Sequence, residues 1–290
     1  MSNQELIEKL KGTKLYNEVL KNDVVEGDVF LAFRDNRIDF YYEGGKLFSF
    51  ENKGFSTHIK YALVIDRSDD KSPKNYVTET DLKTALLSSD FYNGRDDIKK
   101  NCKMYAGDEA KGVAEIYSKY SYLKSEKNIV VLDIEYSFEA EEREGYDRKV
   151  RDRVDILLLD IENEKLFFVE AKHFSNKELW STTTPDVINQ IEKYEQHIKN
   201  EKTIILNKYK QNIELLNKLF EEDLKKKLPQ PKDIDDNVIL LVFGFDKDQR
   251  DGRLTDLILN KKEYKGKKIY CVGNAKEITP ENIISTEVLK

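Results

Sequence analysis

Asp155, Glu170 and Lys172 are the residues whose types and spacing point most directly to chemistry. They lie in VRDRVDILLLDIENEKLFFVEAKHF, where two apolar runs, Val154–Ile161 and Leu166–Val169, flank the polar Glu162–Lys165. That pattern reads as a strand, a tight turn and a strand. With Asn163 and Glu164 as the two turn residues, Ile161 pairs with Leu166 and Asp155 with Lys172. Side chains alternate faces along a strand, so Glu170 and Lys172 share one. Directly paired residues also share a face, so Asp155 joins them. Two carboxylates and an ammonium then converge beside apolar strands. Burying such charges is unfavourable unless they are paired or bind a metal. Two carboxylates this close can hold a hard divalent cation such as Mg²⁺.

A second element follows. Gln190 and Tyr194 are four apart in a helical pattern and lie on one face. The helix start is marked by Thr184 as N-cap, Pro185 at the first helical position and Asp186 in the first turn. Upstream, Ile134-Glu135-Tyr136 and Val150–Asp155 lead into the first acidic residue. In residue types and order this resembles the PD-(D/E)XK nuclease superfamily, in its RecB-like Q-x-x-x-Y branch, over residues 105–275. Asp152 stands where that branch usually has glycine.

The resemblance implies a mixed α/β (α+β) fold, a restriction-endonuclease-like core with a central mixed sheet flanked by helices. It implies an endonuclease or exonuclease that hydrolyses phosphodiester bonds with Mg²⁺, Mn²⁺ substituting. Asp155, Glu170 and the backbone carbonyl of Ala171 would hold the metal. A helix glutamate often stands beside the motif, and Glu115 is chosen for it over Glu109. Lys172 would orient the attacking water or neutralise developing charge, and Gln190 would bond Lys172 or the substrate. Tyr194 would contact nucleic acid or pack on the sheet. DNA is expected ahead of RNA, in restriction, antiviral defence or repair, with a homodimer or a defence-system partner within range. Two alternatives stay open: a non-catalytic nucleic-acid-binding or assembly module that keeps the fold, and an RNA-cleaving enzyme.

Glu-x-Lys alone says little in a chain that is 36% charged. It recurs as Glu51–Lys53, Glu109–Lys111 and Glu263–Lys265. The first competes, because Asp39 precedes it on a strand-like RIDFYY. Only Glu170 combines the hairpin, a buried strand and a capped helix that follows.

The elements that must position these residues divide near residue 100, giving 1–100 and 101–290. The first part reads as a helix over 3–21, then an aromatic-rich β-meander with turns at Asp35-Asn36 and Gly44-Gly45. Its Phe30, Phe33, Phe40, Tyr41, Tyr42, Phe48 and Phe50 suit a small-sheet core or a base-stacking surface. A loop at Asp66–Asn75 and a helix near Glu79–Ser88 follow. The second part reads as helix 107–125, strand 129–139, hairpin strands 153–161 and 165–173, helix 184–200 and a further helix 201–227 ended by Pro229 and Pro231. Strand 237–245, helix 253–259 and strand 267–273 complete it.

Composition narrows the function. The net charge of −6 argues against a broad nucleic-acid coat and leaves local patches such as Lys99-Lys100-Lys103, Lys225–Lys227 and Lys261–Lys268. Two cysteines cannot ligate an iron–sulfur cluster, and three scattered histidines do not form a zinc site. No glycine-rich phosphate loop is present. The opening MSNQELIEKLKG is polar, and no apolar run approaches a membrane span, so a cytoplasmic protein with no membrane partner is expected.

Overall fold

A computed structural model describes residues 3–62, 75–81, 91–140, 151–181 and 183–290. The expected loop at Asp66–Asn75 and most of the expected helix near Glu79–Ser88 lie outside the described residues. The chain is mixed α and β and forms two compact units. One is Met1–Lys124 with Leu215–Lys225; the other is Ser125–Glu214 with Lys226–Lys290.

The first unit opens with α1 (Asn3–Lys11). The single helix expected over 3–21 is interrupted: Gly12 closes the turn, and Thr13 Oγ1 donates to the Leu10 carbonyl at 2.7 Å. A π-helical turn at Tyr16–Leu20 then runs into α2 (Lys21–Val25). Strands β1 (Val29–Arg34), β2 (Arg37–Tyr42), β3 (Gly45–Glu51) and β4 (Gly54–His58) form the expected antiparallel meander. The chain then turns into α3 (Ile59–Ala62), and β5 (Tyr76–Thr78) pairs with β4. Helices α4 (Phe91–Tyr105) and α5 (Asp108–Tyr120) complete the unit.

Those two helices explain why the unit runs past the expected boundary at residue 100. Phe91 of α4 packs on Phe48 with ring centroids 5.4 Å apart, and Tyr117 of α5 packs on Phe30 at the same distance. The Cys102 thiol donates to the Tyr42 carbonyl, and burial pushes its pKa up to about 12. Phe30, Phe33, Phe40, Tyr41, Phe48 and Phe50 are all buried, so they form the core and not a stacking surface.

The second hairpin turn lies one residue earlier than its two glycines suggest. Tyr42 pairs with Gly45, which leaves Glu43 (φ 48°) and Gly44 (φ 89°) as the turn residues. A Cβ on Gly44 would come within 2.6 Å of the Ala110 backbone, which cannot swing away as a side chain would. Gly44→Ala therefore combines a left-handed backbone with overpacking and should lower stability by about 2–4 kcal/mol. Chemical denaturation of the variant checks this, and a loss below that range would mean that α5 shifts to make room.

The second unit is built on a mixed sheet. Its strands are β6 (Ile129–Ser137), β7 (Arg153–Asp160), β8 (Lys165–His173), β9 (Asp233–Ile234), β10 (Ile239–Phe243) and β11 (Lys268–Val272). The order is β11-β10-β8-β7-β6, with short β9 attached to β8. β6, β7 and β8 run antiparallel, whereas β8, β10 and β11 run parallel. The continuous apolar runs Ile156–Leu159 and Ile239–Phe243 are wholly buried, as strands covered on both faces must be.

Helix α6 (Asp186–Leu219) follows β8. The expected break near Asn200–Lys202 does not occur, and the helix stops at Leu219, well before Pro229. Buried Ile198, Ile205, Tyr209, Ile213 and Leu216 carry the apolar stripe straight through the charged stretch. Tyr209 also donates to buried Asp133 Oδ2 at 2.6 Å, tying this helix to β6. Beyond β10 come α7 (Lys247–Gln249), a π-helical stretch at Arg250–Leu259 and, after β11, α8 (Pro280–Ile284). No helix among the described residues is long and apolar enough to cross a membrane.

Candidate active site

The hairpin that carries Asp155 and Glu170 forms as expected, but its register differs by two residues. Asp160 pairs with Lys165, and Ile156 with Val169. The reason lies in Asp160. Its Oδ1 accepts the backbone N–H groups of Glu162 and Asn163, each at 3.1 Å, and its Oδ2 accepts Asn163 Nδ2 at 2.7 Å. This aspartate-initiated turn draws Ile161 out of the ladder, and Glu164 closes it at φ 53°. Asp155 is consequently level with Glu170 and not with Lys172. An offset of two leaves every side chain on its expected face.

The β7–β8 ladder ends at Ile156 and Val169. The next β8 group facing β7 is the backbone N–H of Ala171, which donates to Asp155 Oδ2 at 2.8 Å. A carboxylate thus replaces a strand carbonyl where the two strands part. The N–H and C=O of one strand residue project to the same side. The Ala171 carbonyl therefore faces the same gap, where a ligand to a metal would be needed.

Glu170 and Lys172 are only 2% and 5% exposed. Lys172 Nζ lies 2.9 Å from Glu170 Oε1 and 2.7 Å from Glu178 Oε2. Burial acts to lower the Lys172 pKa, but Glu170, Glu178 and Asp155 together outweigh it and hold the ammonium above its ordinary range. Lys172 is thus a fixed cation among three carboxylates. Glu178 was not singled out by sequence reasoning. It sits on a 3-10 turn at Lys177–Leu179, capped by Asn176 Oδ1, which accepts the Glu178 N–H at 2.8 Å. The only local hint is the asparagine two residues before it.

No protein-family model, curated protein or solved structure matches the chain.

Helix α6 supplies the rest of the site. Gln190 Nε2 donates to the Tyr194 hydroxyl at 2.6 Å, and that hydroxyl donates to the Arg153 carbonyl at 2.5 Å. The Q-x-x-x-Y pair is thus a brace that pins α6 to the start of β7, two residues before Asp155. Gln190 is expected to bond Lys172 or substrate; its bond in the structure is to Tyr194. Tyr194 is 1% exposed and packs on Phe138 at 5.5 Å, so the expected contact with nucleic acid gives way to packing. Burial and the nearby Glu170 charge raise its pKa, so the hydroxyl remains a donor. Tyr194→Phe removes both bonds. It should lower stability by about 1–2 kcal/mol and leave Gln190 without its tether. Urea unfolding of the variant reads this directly; an unchanged midpoint would show that the brace carries no load.

Glu115 lies on α5 of the first unit, paired with Lys119 at 3.7 Å and lining a cleft with Asp28 and Glu43. The rival Asp39 is fully buried, accepts Ser49 Oγ at 2.7 Å and pairs with Arg37 Nε at 2.8 Å, while Glu51 is exposed. Asp39 is thus tied into an ion-pair and hydrogen-bond network of its own sheet. The basic patches are also largely engaged. Lys99 pairs with Asp23 at 2.7 Å, Lys103 with Glu43 at 3.1 Å and Lys267 with Glu195 at 2.9 Å.

Among the described residues, no group of three or more histidine, cysteine or acidic side chains is arranged to hold a metal ion. The oxygens that the sequence reading would give to a metal are those of Asp155 and Glu170 and the Ala171 carbonyl. All are hard oxygens. Mg²⁺ commonly takes only one or two carboxylates and keeps several waters, so this set fits it better than it fits zinc.

Proposed function

We propose that this chain is a metal-dependent nuclease of the PD-(D/E)XK type, built on a restriction-endonuclease-like core and acting on DNA. The observation that carries this reading is the buried Glu170–Lys172 pair beside Asp155, at the point where β7 and β8 part. A buried acid–base pair is weak as a stabilising device, because desolvation offsets much of its attraction. Its position just past the end of the β7–β8 ladder is better accounted for by chemistry.

Asp155, Glu170 and the Ala171 carbonyl would hold Mg²⁺ or Mn²⁺. When bound, the metal lowers the pKa of a coordinated water and polarises a phosphoryl oxygen. The chain does the remainder. Lys172, held protonated by its carboxylates, presents positive charge to the phosphate as it becomes more negative. Glu178 holds that ammonium in place. Gln190 and Tyr194 fix the start of β7 and so the reach of Asp155. A cytoplasmic role in restriction, antiviral defence or repair follows from the same reading, with a homodimer or a defence-system partner as the assembly.

Parallel digests test it. Linear and circular, single- and double-stranded DNA, and RNA, are incubated with Mg²⁺, Mn²⁺ or EDTA. Metal-dependent cleavage of DNA is expected. Cleavage of RNA alone would move the activity to the other polymer. No metal-dependent cleavage of any substrate would turn the reading to a binding or assembly module.

A further inference from the structure

The chain has a single tryptophan, and its setting is not that of a core residue. Trp180 is half-exposed and stands two residues beyond Glu178, the carboxylate that contacts Lys172 at 2.7 Å. Two residues span at most about 7 Å, so Trp180 is carried by the same short segment as Glu178.

The ring is held on several sides. Its Nε1–H donates to the Phe174 carbonyl at 2.9 Å, and Phe174 meets it edge-on with centroids 4.9 Å apart. The segment that bears it is also anchored. Tyr264 donates its hydroxyl to the Leu179 carbonyl at 2.9 Å, and Lys261 Nζ donates to the Ser181 carbonyl. Arg253, exposed on the π-helical stretch, lies with its guanidinium carbon 4.0 Å from the indole centroid. Among the described residues Arg253 forms no salt bridge, in contrast to Lys99, Lys103 and Lys267. A guanidinium can stack on an aromatic face and still donate to a phosphate through its edge. Arg253 covers the indole face and also lies 6.0 Å from the Phe174 ring, so the stacked pair presents its exposed guanidinium to a ligand. The guanidinium, backed by the indole, offers its outer face to a base and its edge to a phosphate.

We propose that Trp180 and Arg253 form a nucleotide-binding shelf for an unpaired base of the DNA strand whose phosphodiester lies at Asp155 and Glu170. This rests on the nuclease reading and deepens it: the substrate at this shelf is single-stranded, or a duplex frayed at the point of cutting.

The lone tryptophan makes the test direct. Indole fluorescence of the full chain is titrated in EDTA, where metal-dependent cleavage cannot proceed, with short oligo(dT) and with an abasic strand of equal length and charge. Quenching by oligo(dT) and not by the abasic strand is expected. Trp180→Ala should weaken oligo(dT) binding, followed by anisotropy, by about 10-fold, the loss of one stacked base. Trp180→Phe keeps a ring and should recover most of that affinity, which separates stacking from a disturbed segment. Equal quenching by both strands, or unchanged affinity in Trp180→Ala, would overturn the shelf. Base-dependent quenching in a protein that never cleaves DNA would leave the shelf and remove the nuclease. Cleavage without base-dependent quenching would do the reverse.

Discussion

Lys172→Ala is expected to lose at least about 100-fold in cleavage rate, the scale seen when one group aimed at transition-state charge is deleted. It is also expected to lose stability. Reading the sequence alone suggests a variant that loses cleavage and keeps folding and metal binding largely intact. The structure changes that expectation. Glu170 and Lys172 are both buried and 2.9 Å apart, so truncating the lysine strands a carboxylate in a dry setting. Breaking such a pair from one side typically lowers stability by about 3–5 kcal/mol. The folded fraction should nevertheless bind Mg²⁺ at least as well as the parent, because the cation that competes for Glu170 Oε1 is gone. Urea unfolding and calorimetric metal titration check the two halves separately. The folded-state pKa of Lys172 is raised, so its contribution to stability is fully present below the unfolded value of 10.5 and fades only above it. Neither stability nor activity should fall on this residue's account between neutral pH and the ordinary lysine range.

Glu170→Gln should give the opposite signature. Cleavage falls as steeply, but because a metal-holding oxygen has lost its charge. Mg²⁺ affinity falls with it. Stability changes less than in Lys172→Ala, because the ammonium keeps its 2.7 Å contact with Glu178 and the amide fills the same volume. The comparison is diagnostic. A purely structural ion pair would make both substitutions destabilising and leave Mg²⁺ binding indifferent to either. If Glu170→Gln binds Mg²⁺ as the parent does, the metal set named above is wrong.

Much of this was legible in the residues. The shared face of Asp155, Glu170 and Lys172 follows from strand alternation, and it survives the two-residue register difference because the offset is even. The register itself was not legible, because Ile161 reads as the last residue of the strand until the Asp160 side chain is seen bonding to Glu162 and Asn163. The length of α6 was hidden by a charged stretch, Lys199–Lys202, across which the apolar stripe continues from Ile198 to Ile205. Gln190 and Tyr194 were placed on one face correctly, but their partner, the Arg153 carbonyl, is a tertiary contact that carries no sequence mark. Glu178 lies in a non-periodic segment, so no spacing rule tied it to Lys172. Glu115 was chosen on spacing alone, and the fold puts it on a helix of the other unit.

The most direct test compares the parent with Asp155→Ala on linear DNA, with Mg²⁺ and with EDTA. Cleavage by the parent in Mg²⁺, absent in EDTA and absent in the variant, is the predicted result. Equal cleavage by the variant, or cleavage that persists in EDTA, would contradict a metal-dependent nuclease centred on Asp155.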